Sequence, residues 1–469
     1  MTSIRFGTDG WRGVIAEDFT LANARVVAQA IARYVVRCED ASKGVIIGYD
    51  HRFASDGIAT AAAEVVSASG TPVFLTDKPC PTPAVSLLVR QRGAAGGLMI
   101  TASHNPYQWN GIKYKASYGS SALPSIVAQI EKDLDVVQKE MVASLPPRKS
   151  LIQPLEPRAP YLDTLEKLVD WQRLRKAKFR FVSDVMHGSA TGLLVELFRR
   201  NGISCDEIRG TRDPRFGGVH PEPIEPHIEP LRQTVLAGKF DAGLCADGDG
   251  DRIGAIDRDG TFVNPHQIFA LLVWHLAGTR NLPGDIAKTF SVTKLIDKLA
   301  AKFGRTLHET PIGFKYICEL MLEQNILIGG EESGGIGTNL YIPERDATVS
   351  ALLLAELMAG HGKSLGELLA VLTAEFGEYH YGRVDLGLKP GQKEKAMAHF
   401  SDAKLIRILD VPVVRREDMD GIKLYLSDVG WVMVRASGTE NLLRVYCETS
   451  KSETTQRVLQ AVTGIVQNL

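Results

Sequence analysis

Hydrophobic and polar positions along the chain form a unit that recurs. A short apolar run, a polar turn, a helix-length stretch, a glycine and a second apolar run follow one another three times. The first copy is Val45–Gly48, a helix over Ile58–Ser69, Gly70 and Thr71–Leu75. The second is Phe179–Ser183, a helix over Ala190–Arg200, Gly202 and Ile203–Cys205, and the third is Asp285–Phe290, a helix over Thr293–Phe303, Gly304 and Thr306–His308. Each glycine stands where a helix end favours a left-handed residue. Strand–helix–strand at this spacing predicts right-handed crossovers and parallel or mixed sheets with covered faces. The spacing varies and long unlike segments intervene, so the copies read as related domains rather than solenoid turns.

Beyond Phe376 the pattern changes to short β-rich runs, Ile406–Val414, Gly421–Leu426, Trp431–Arg435 and Leu443–Glu448, and ends in a helix near Glu453–Gln467. That predicts a separate α+β domain. Ser144–Pro160, with five prolines, reads as a connection. The expected organisation is three related mixed-sheet α/β domains, over 1–150, 151–254 and 255–375, and a C-terminal α+β domain over 376–469. A chain of 469 residues is too long for one ordinary core. The apolar windows Ile268–Ala277 and Val349–Ala359 reach only about half of the ~20 residues a membrane-spanning helix needs, and read as buried helices.

Composition narrows the classes further. With 44% hydrophobic and 23% charged residues and a formal net charge of -1, the chain is an ordinary globular protein. No long basic run supports a nucleic-acid or membrane partner. Six cysteines lie far apart without a CxxC pair, which argues against a zinc site or a disulfide framework. Met1–Gly13 does not read as a signal peptide, so a cytoplasmic enzyme is expected, as a monomer or homodimer.

Four loops carry chemistry. Thr101-Ala-Ser-His-Asn-Pro106 follows the apolar Gly97–Ile100, which places Ser103 and His104 on an exposed turn at a strand end. A lone Ser-His pair most often caps a turn, but Asn110-Gly-Ile-Lys113 follows within one loop length. The G-x-S-x-G elbow of a hydrolase is absent, and a serine that carries a phosphoryl group needs cations instead. Asp247-Gly-Asp249-Gly-Asp251-Arg252 supplies hard oxygen ligands suited to Mg²⁺ or Ca²⁺. It is not an EF-hand, because Arg252 stands at the sixth position and Arg258 at the twelfth. Gly330-Glu331-Glu332-Ser333-Gly334-Gly335 offers carboxylates and a hydroxyl for neighbouring sugar hydroxyls, a weak signal alone. Arg435-Ala-Ser437-Gly438-Thr439, with Arg444 nearby, combines a guanidinium, hydroxyls and flexible backbone suited to a phosphate.

With Gly7-Thr-Asp-Gly-Trp-Arg-Gly13 at the start, these loops resemble the α-D-phosphohexomutase family, which includes phosphoglucomutase and phosphomannomutase, in the family's order and over nearly the whole chain. The resemblance implies four domains around a central cleft. It implies that Ser103 is a phosphoserine in the active enzyme, and that Asp247, Asp249 and Asp251 hold Mg²⁺ together with a phosphoserine oxygen. Glu331 and Ser333 would read the sugar hydroxyls, and Arg435, Ser437, Gly438 and Thr439 would hold the phosphate not being transferred. Arg12, His104, Lys113 and Arg252 would line the transfer site. Lys113 is the implied general base, which requires burial and Arg12 to lower its pKa. Thr310-Pro-Ile-Gly313-Phe-Lys315 resembles a further substrate loop.

A hexose 1-phosphate would become its 6-phosphate through a hexose 1,6-bisphosphate, glucose 1,6-bisphosphate being the intermediate and activator for glucose. Two departures from the family pattern stand out. Asn441 follows Thr439-Glu440 where proline is frequent, and Glu-Glu-Ser-Gly-Gly differs from the Glu-Gln-Ser-Gly-His of phosphoglucosamine mutases. The second favours glucose, with mannose also possible, over an amino sugar. The rival readings are a sugar-phosphate phosphatase, a bisphosphate synthase and a non-catalytic phosphosugar-binding protein.

Overall fold

The computed structural model describes residues 4–7, 9–140, 145–436 and 441–469. They fall into two compact units: one runs to Ile286 and includes Gly313–Leu368, and the other comprises Ala287–Ile312 and Leu369–Leu469.

The first unit contains a seven-stranded mixed sheet in the order Trp11–Val14, Trp109–Ala116, Gly96–Ile100, Val45–Tyr49, Val73–Thr76 and Ile152–Leu155, with Ser120–Ser121 paired to Trp109–Ala116. The central strands are parallel, and Trp109–Ala116 runs antiparallel to both of its long neighbours. The edge strand Ile152–Leu155 lies in the proline-rich stretch read as a connection. It pairs in parallel with Val73–Thr76. Helix Leu21–Cys38 buries Val27, Ile31 and Val35 against Val45, Ile47 and Leu98 of the sheet.

A second mixed sheet has five strands, in the order Phe262–Val263, Ile253–Asp257, Ala242–Ala246, Phe181–Asp184 and Cys205–Ile208. Ile326–Gly330 and Ile336–Thr338 form an antiparallel hairpin in the same unit. Helix Ala347–His361 is buried on every side from Ala347 to Met358, which accounts for its unbroken apolar run. Its cap, Asp346, accepts from the Tyr161 hydroxyl at 2.6 Å, from the Tyr341 hydroxyl and from Val349 N–H at 2.9 Å. No helix among the described residues is long and apolar enough to cross a membrane.

The three copied units fold as their pattern predicts. Helices Ser55–Ala68, Leu193–Arg200 and Leu295–Lys302 each run on to a glycine, and Gly70, Gly202 and Gly304 have φ of 92°, 72° and 61°. There a side chain would strain the backbone.

In the second unit an antiparallel five-stranded sheet runs His380–Gly387, Leu442–Thr449, Gly430–Ala436, Ile422–Leu426 and Arg415–Glu417. Helix Ser452–Gln467 covers it through Val458, Val462 and Val466. Ile406–Val414 is not one strand. Leu409, at φ 55°, folds it into a small hairpin of Arg407–Ile408 on Val411–Pro412.

Lys423 is wholly buried in this unit. Its Nζ donates to Phe290 O at 2.6 Å, lies 3.5 Å from Glu309 and sits over the rings of Trp431, Phe290 and Tyr425. Burial pushes its pKa down to about 7; Lys288 and Lys294 add to the fall, while Glu309 and Asp297 oppose it. In the unfolded chain a lysine titrates near ~10.4. Between these values the unfolded state holds one more proton, so stability rises with pH through that window, by on the order of 4–5 kcal/mol in full. Wild type should therefore gain thermal stability relative to Lys423→Met between pH 7 and about 9.5. A Tm difference that stays constant over that range would refute the assignment.

Candidate active site

Three loops meet in the first unit, and each is the turn of an antiparallel hairpin. Residues 101–108 join Gly96–Ile100 to Trp109–Ala116, 247–252 join Ala242–Ala246 to Ile253–Asp257, and 331–335 join Ile326–Gly330 to Ile336–Thr338. A strand pair gives such a turn rigid ends, which lets side chains far apart in sequence be held at fixed separations.

Ser103 is buried, with φ 52°, and its N–H donates to Thr101 Oγ1 at 2.9 Å. Its Oγ donates to Asp247 Oδ2 at 2.9 Å. The two loops touch at the backbone too: a Cβ on Gly248 would lie 2.7 Å from Ser103 O, so only glycine fits there. His104, next in the loop, is half-buried. Arg12, on a strand paired with Trp109–Ala116, donates to Asn105 Oδ1 at 2.6 Å.

The carboxylates of Asp247, Asp249 and Asp251 are wholly buried and present oxygens within 4.8 Å of one another. Asp247 Oδ1 folds back to accept from the N–H groups of Asp251 at 2.9 Å and Arg252 at 3.1 Å. Asp249 Oδ2 accepts from Thr82 Oγ1 at 2.5 Å and Lys113 Nζ at 2.8 Å. Asp249 Oδ1 and Asp251 Oδ1 are buried and accept no hydrogen bond. Unsatisfied buried carboxylate oxygens are costly, and three converging hard oxygens suit a divalent cation such as Mg²⁺. The residues present therefore fit a metal.

Burial, reinforced by Asp249 and Asp251, pushes the Asp247 carboxyl well above its ordinary pKa. Burial is the largest influence on Asp249 and would raise it, but Lys113 and hydrogen bonds from hydroxyl groups such as Thr82 together hold that carboxyl below the usual range. Lys113 does not meet the expectation of a lowered pKa. Burial does pull it down, yet Asp249 at 2.8 Å, Asp251 at 3.1 Å and Asp9 at 3.1 Å outweigh burial and raise it. In this arrangement Lys113 is an ammonium.

Two residues at the heart of this network went unread in the sequence. Arg345 Nη2 lies 2.7 Å from Asp9 and 2.8 Å from Asp251, and its Nη1 lies 3.2 Å from Glu331. Asp9 thus joins Lys113 to Arg345, and Arg345 joins the aspartate loop to the Glu331 loop. Asp9 belongs to the glycine-rich opening motif, a signal that was present. Arg345 stands in Glu344-Arg-Asp346, a charged triplet at the start of an apolar helix, which was also visible. Burial raises the Glu331 carboxyl, with Arg345 opposing. Ser333 is half-buried, and Gly334 O accepts from Ile253 N–H at 3.1 Å. Arg252, largely buried, lies 3.7 Å from Glu222 and 3.8 Å from Asp251.

Thr310 and Arg435 belong to the second unit. Asp420 accepts from Ile312 N–H at 2.8 Å and from Arg435 Nε at 2.9 Å, which ties the Thr310 loop to Arg435. Gly313, in the first unit, precedes helix Phe314–Glu323. Ser437, Gly438 and Thr439 lie outside the described residues.

Family models described as phosphoglucomutase/phosphomannomutase match the chain in four pieces: alpha/beta/alpha domain I over residues 3–141, domain II over 159–260, domain III over 264–376 and the C-terminal domain over 398–465. A phosphoglucomutase/phosphomannomutase of Thermococcus kodakarensis is 27% identical over 97% of this chain and 96% of its own. A phosphoglucosamine mutase of a Picosynechococcus species is 30% identical over 99% and 93%. A crystal structure from Thermus thermophilus, assigned only provisionally as a phosphomannomutase, superposes with a TM-score of 0.88 at 32% identity, covering all of both chains.

A four-domain α/β architecture with mixed sheets and a buried acidic triad thus defines the class, a phosphosugar mutase. The chain belongs to the phosphoglucomutase/phosphomannomutase family.

Proposed function

We propose that the protein interconverts hexose 1-phosphates and hexose 6-phosphates, with glucose favoured and mannose second, through phospho-Ser103 and a hexose 1,6-bisphosphate. The observation that carries this reading is Ser103 Oγ, buried on the Asp247 carboxylate 2.9 Å away. Lys113 and Arg345 are ion-paired to the same three-aspartate loop. A hydrolytic serine needs a base at its hydroxyl, whereas here the hydroxyl faces an acidic triad suited to a cation, as a phosphoryl carrier requires.

In the first half of the cycle the P–Oγ bond of phospho-Ser103 breaks and a bond forms to the free hydroxyl of a hexose 1-phosphate, whose proton is released. The bisphosphate turns over; the bond between its other phosphorus and the sugar O1 breaks as a P–Oγ bond re-forms on Ser103, and the freed oxygen takes back a proton, leaving hexose 6-phosphate. Mg²⁺ held by Asp247, Asp249 and Asp251 would neutralise charge on the phosphoryl oxygens and take up the carboxylate charge that keeps Lys113 protonated. Lys113 is the candidate to accept the sugar proton, and it does so only when its three ion pairs are relieved. Arg12, His104 and Arg252 face the group in transit. Glu331 and Ser333 accept and donate to adjacent sugar hydroxyls. Arg435, Ser437, Gly438 and Thr439 receive the distal phosphate, and Thr310 and Gly313 belong to a further substrate-binding loop. Glucose 1,6-bisphosphate is the intermediate for glucose, and it re-primes any chain that has lost its phosphate.

The Glu331-Glu-Ser-Gly-Gly335 loop favours a neutral hexose, although relatives named phosphoglucosamine mutase are about as similar as those named for glucose and mannose. The test is phosphorus NMR of the purified chain with Mg²⁺, a trace of glucose 1,6-bisphosphate and, in turn, glucose, mannose and glucosamine 1-phosphates. Growth of the 6-phosphate without inorganic phosphate, fastest for glucose, is expected. Inorganic phosphate as the main product would mean a phosphatase, and a faster glucosamine 1-phosphate reaction would overturn the sugar assignment.

A further inference from the structure

The loop that carries Ser103 has little backbone bonding of its own. Across 101–108 its described internal bonds are Asn105 N–H to Ala102 O and Trp109 N–H to Pro106 O. Ser103 itself sits at φ 52°, a conformation that a serine adopts only when its surroundings impose it. Something outside the loop must hold it.

Arg52 fills that role geometrically. Its side chain has no solvent exposure. One terminal nitrogen donates to Ser103 O at 2.6 Å and Asn105 O at 2.7 Å. The other donates to Pro106 O and Trp109 O, at 2.9 Å each. Four of the five guanidinium N–H groups thus point at carbonyls, three in the loop and one on the first residue of the strand that follows it. Nε lies 3.3 Å from Asp50 Oδ2, and Asp50 Oδ1 accepts from Arg52 N–H and Ser55 Oγ. Phe216, fully buried in a loop beyond the strand Cys205–Ile208, lies under the guanidinium with its ring centre 4.8 Å from Cζ. His51, next to Arg52, makes a 2.8 Å hydrogen bond through Nδ1 to His187 O. The fork is therefore fixed on its charge, on its face and through its neighbour.

Resting on the reading of Ser103 as the phosphoryl carrier, we propose that Arg52 is the positioning residue of the transfer loop. It fixes the peptide that follows Ser103, and those after Asn105 and Pro106, so that Oγ is aimed at Asp247, and it links that aim to the domain that supplies the three aspartates. A buried guanidinium committed to four carbonyls and to Asp50 is not free to bind substrate, so its effect falls on the transfer step. Misplacing a reacting atom by about 1 Å costs on the order of 10²-fold in rate. Lysine keeps the charge facing Asp50 but cannot reach four carbonyls in one plane.

The experiment uses the full chain with Mg²⁺, phosphorylated by glucose 1,6-bisphosphate, and measures single-turnover transfer to glucose 1-phosphate beside the Kd for that sugar. In Arg52→Lys, transfer should slow at least about 10-fold, with the Kd within about threefold of wild type and phosphate still found on Ser103. Unimpaired transfer, or equal losses of rate and affinity, would overturn the inference. If Arg52→Lys does not fold, Asp50→Asn decides: it leaves every carbonyl bond available but frees the guanidinium, and transfer at the wild-type rate would overturn the proposal. Wild-type chain that takes up no phosphate on Ser103 would instead overturn the carrier reading, and this inference with it.

Discussion

Ser103→Ala should lose mutase turnover by on the order of 10⁴-fold or more, while glucose 1-phosphate still binds within a few-fold of wild type. The substitution removes one hydroxyl, which donates to Asp247. It leaves Lys113, Arg345, Glu331 and the aspartates where they are. Binding depends on those charges, and turnover depends on a covalent carrier, so the two should separate. A structural serine would behave otherwise, with at most a small fall in stability from the lost hydrogen bond and turnover close to wild type. Mass spectrometry adds an independent readout. Phosphate should appear on wild-type Ser103 after incubation with glucose 1,6-bisphosphate and be absent from that peptide in the variant. Turnover retained in Ser103→Ala would sink the phosphoserine mechanism.

The parts of this site that could be read in the sequence are those whose chemistry is local. Asp247, Asp249 and Asp251 announce themselves because alternate carboxylates with glycines between them converge within six residues of one turn. Gly70, Gly202 and Gly304 could be assigned left-handed conformations because a helix end makes that demand on its own chain. Asp9, Arg52, Thr82 and Arg345 are different. Asp9 and Arg345 stand in stretches that are visible as motifs, yet each of the four acquires its role from a partner brought from far along the chain. Arg345 meets Asp9 across 336 positions, and Thr82 meets Asp249 across 167. Local pattern carries no record of such pairings.

The condition that a base role puts on Lys113, a lowered pKa, depends on long-range partners in the same way. Burial was foreseeable, but three carboxylates around its ammonium were not. At the level of the fold, His380–Gly387 escaped notice because Gly382, Arg383, Asp385 and Gly387 dilute its alternation, although its pairing with Leu442–Thr449 is long and regular. Ile406–Val414 was apolar enough for a strand, but one left-handed residue, Leu409, folds it in two.

The carboxylate loop makes the second strong prediction. Asp249 Oδ1 and Asp251 Oδ1 are buried acceptors without donors, and Asp247 is pushed towards protonation by burial and by its neighbours. A divalent cation relieves all three strains, so Mg²⁺ should stabilise the folded chain. At about 100 times its Kd a ligand adds ~2.7 kcal/mol, which should raise Tm by a few degrees. Asp249→Asn keeps the shape of the loop but removes one charge and one of the two hard carboxylate oxygens, and leaves Lys113 at best a neutral acceptor in place of its closest carboxylate. That variant should lose most of the Mg²⁺-dependent rise in Tm and fall by on the order of 10³-fold in kcat, since the metal contributes several kcal/mol of charge stabilisation to phosphoryl transfer. Chelation by EDTA should abolish wild-type turnover and lower its Tm to the metal-free value, and Mg²⁺ should restore each. Because the thermal shift is read without substrate, it tests the metal site apart from the reaction. An Asp249→Asn chain that Mg²⁺ stabilises as strongly as wild type would place the cation elsewhere, and the carboxylate triad would then need another explanation.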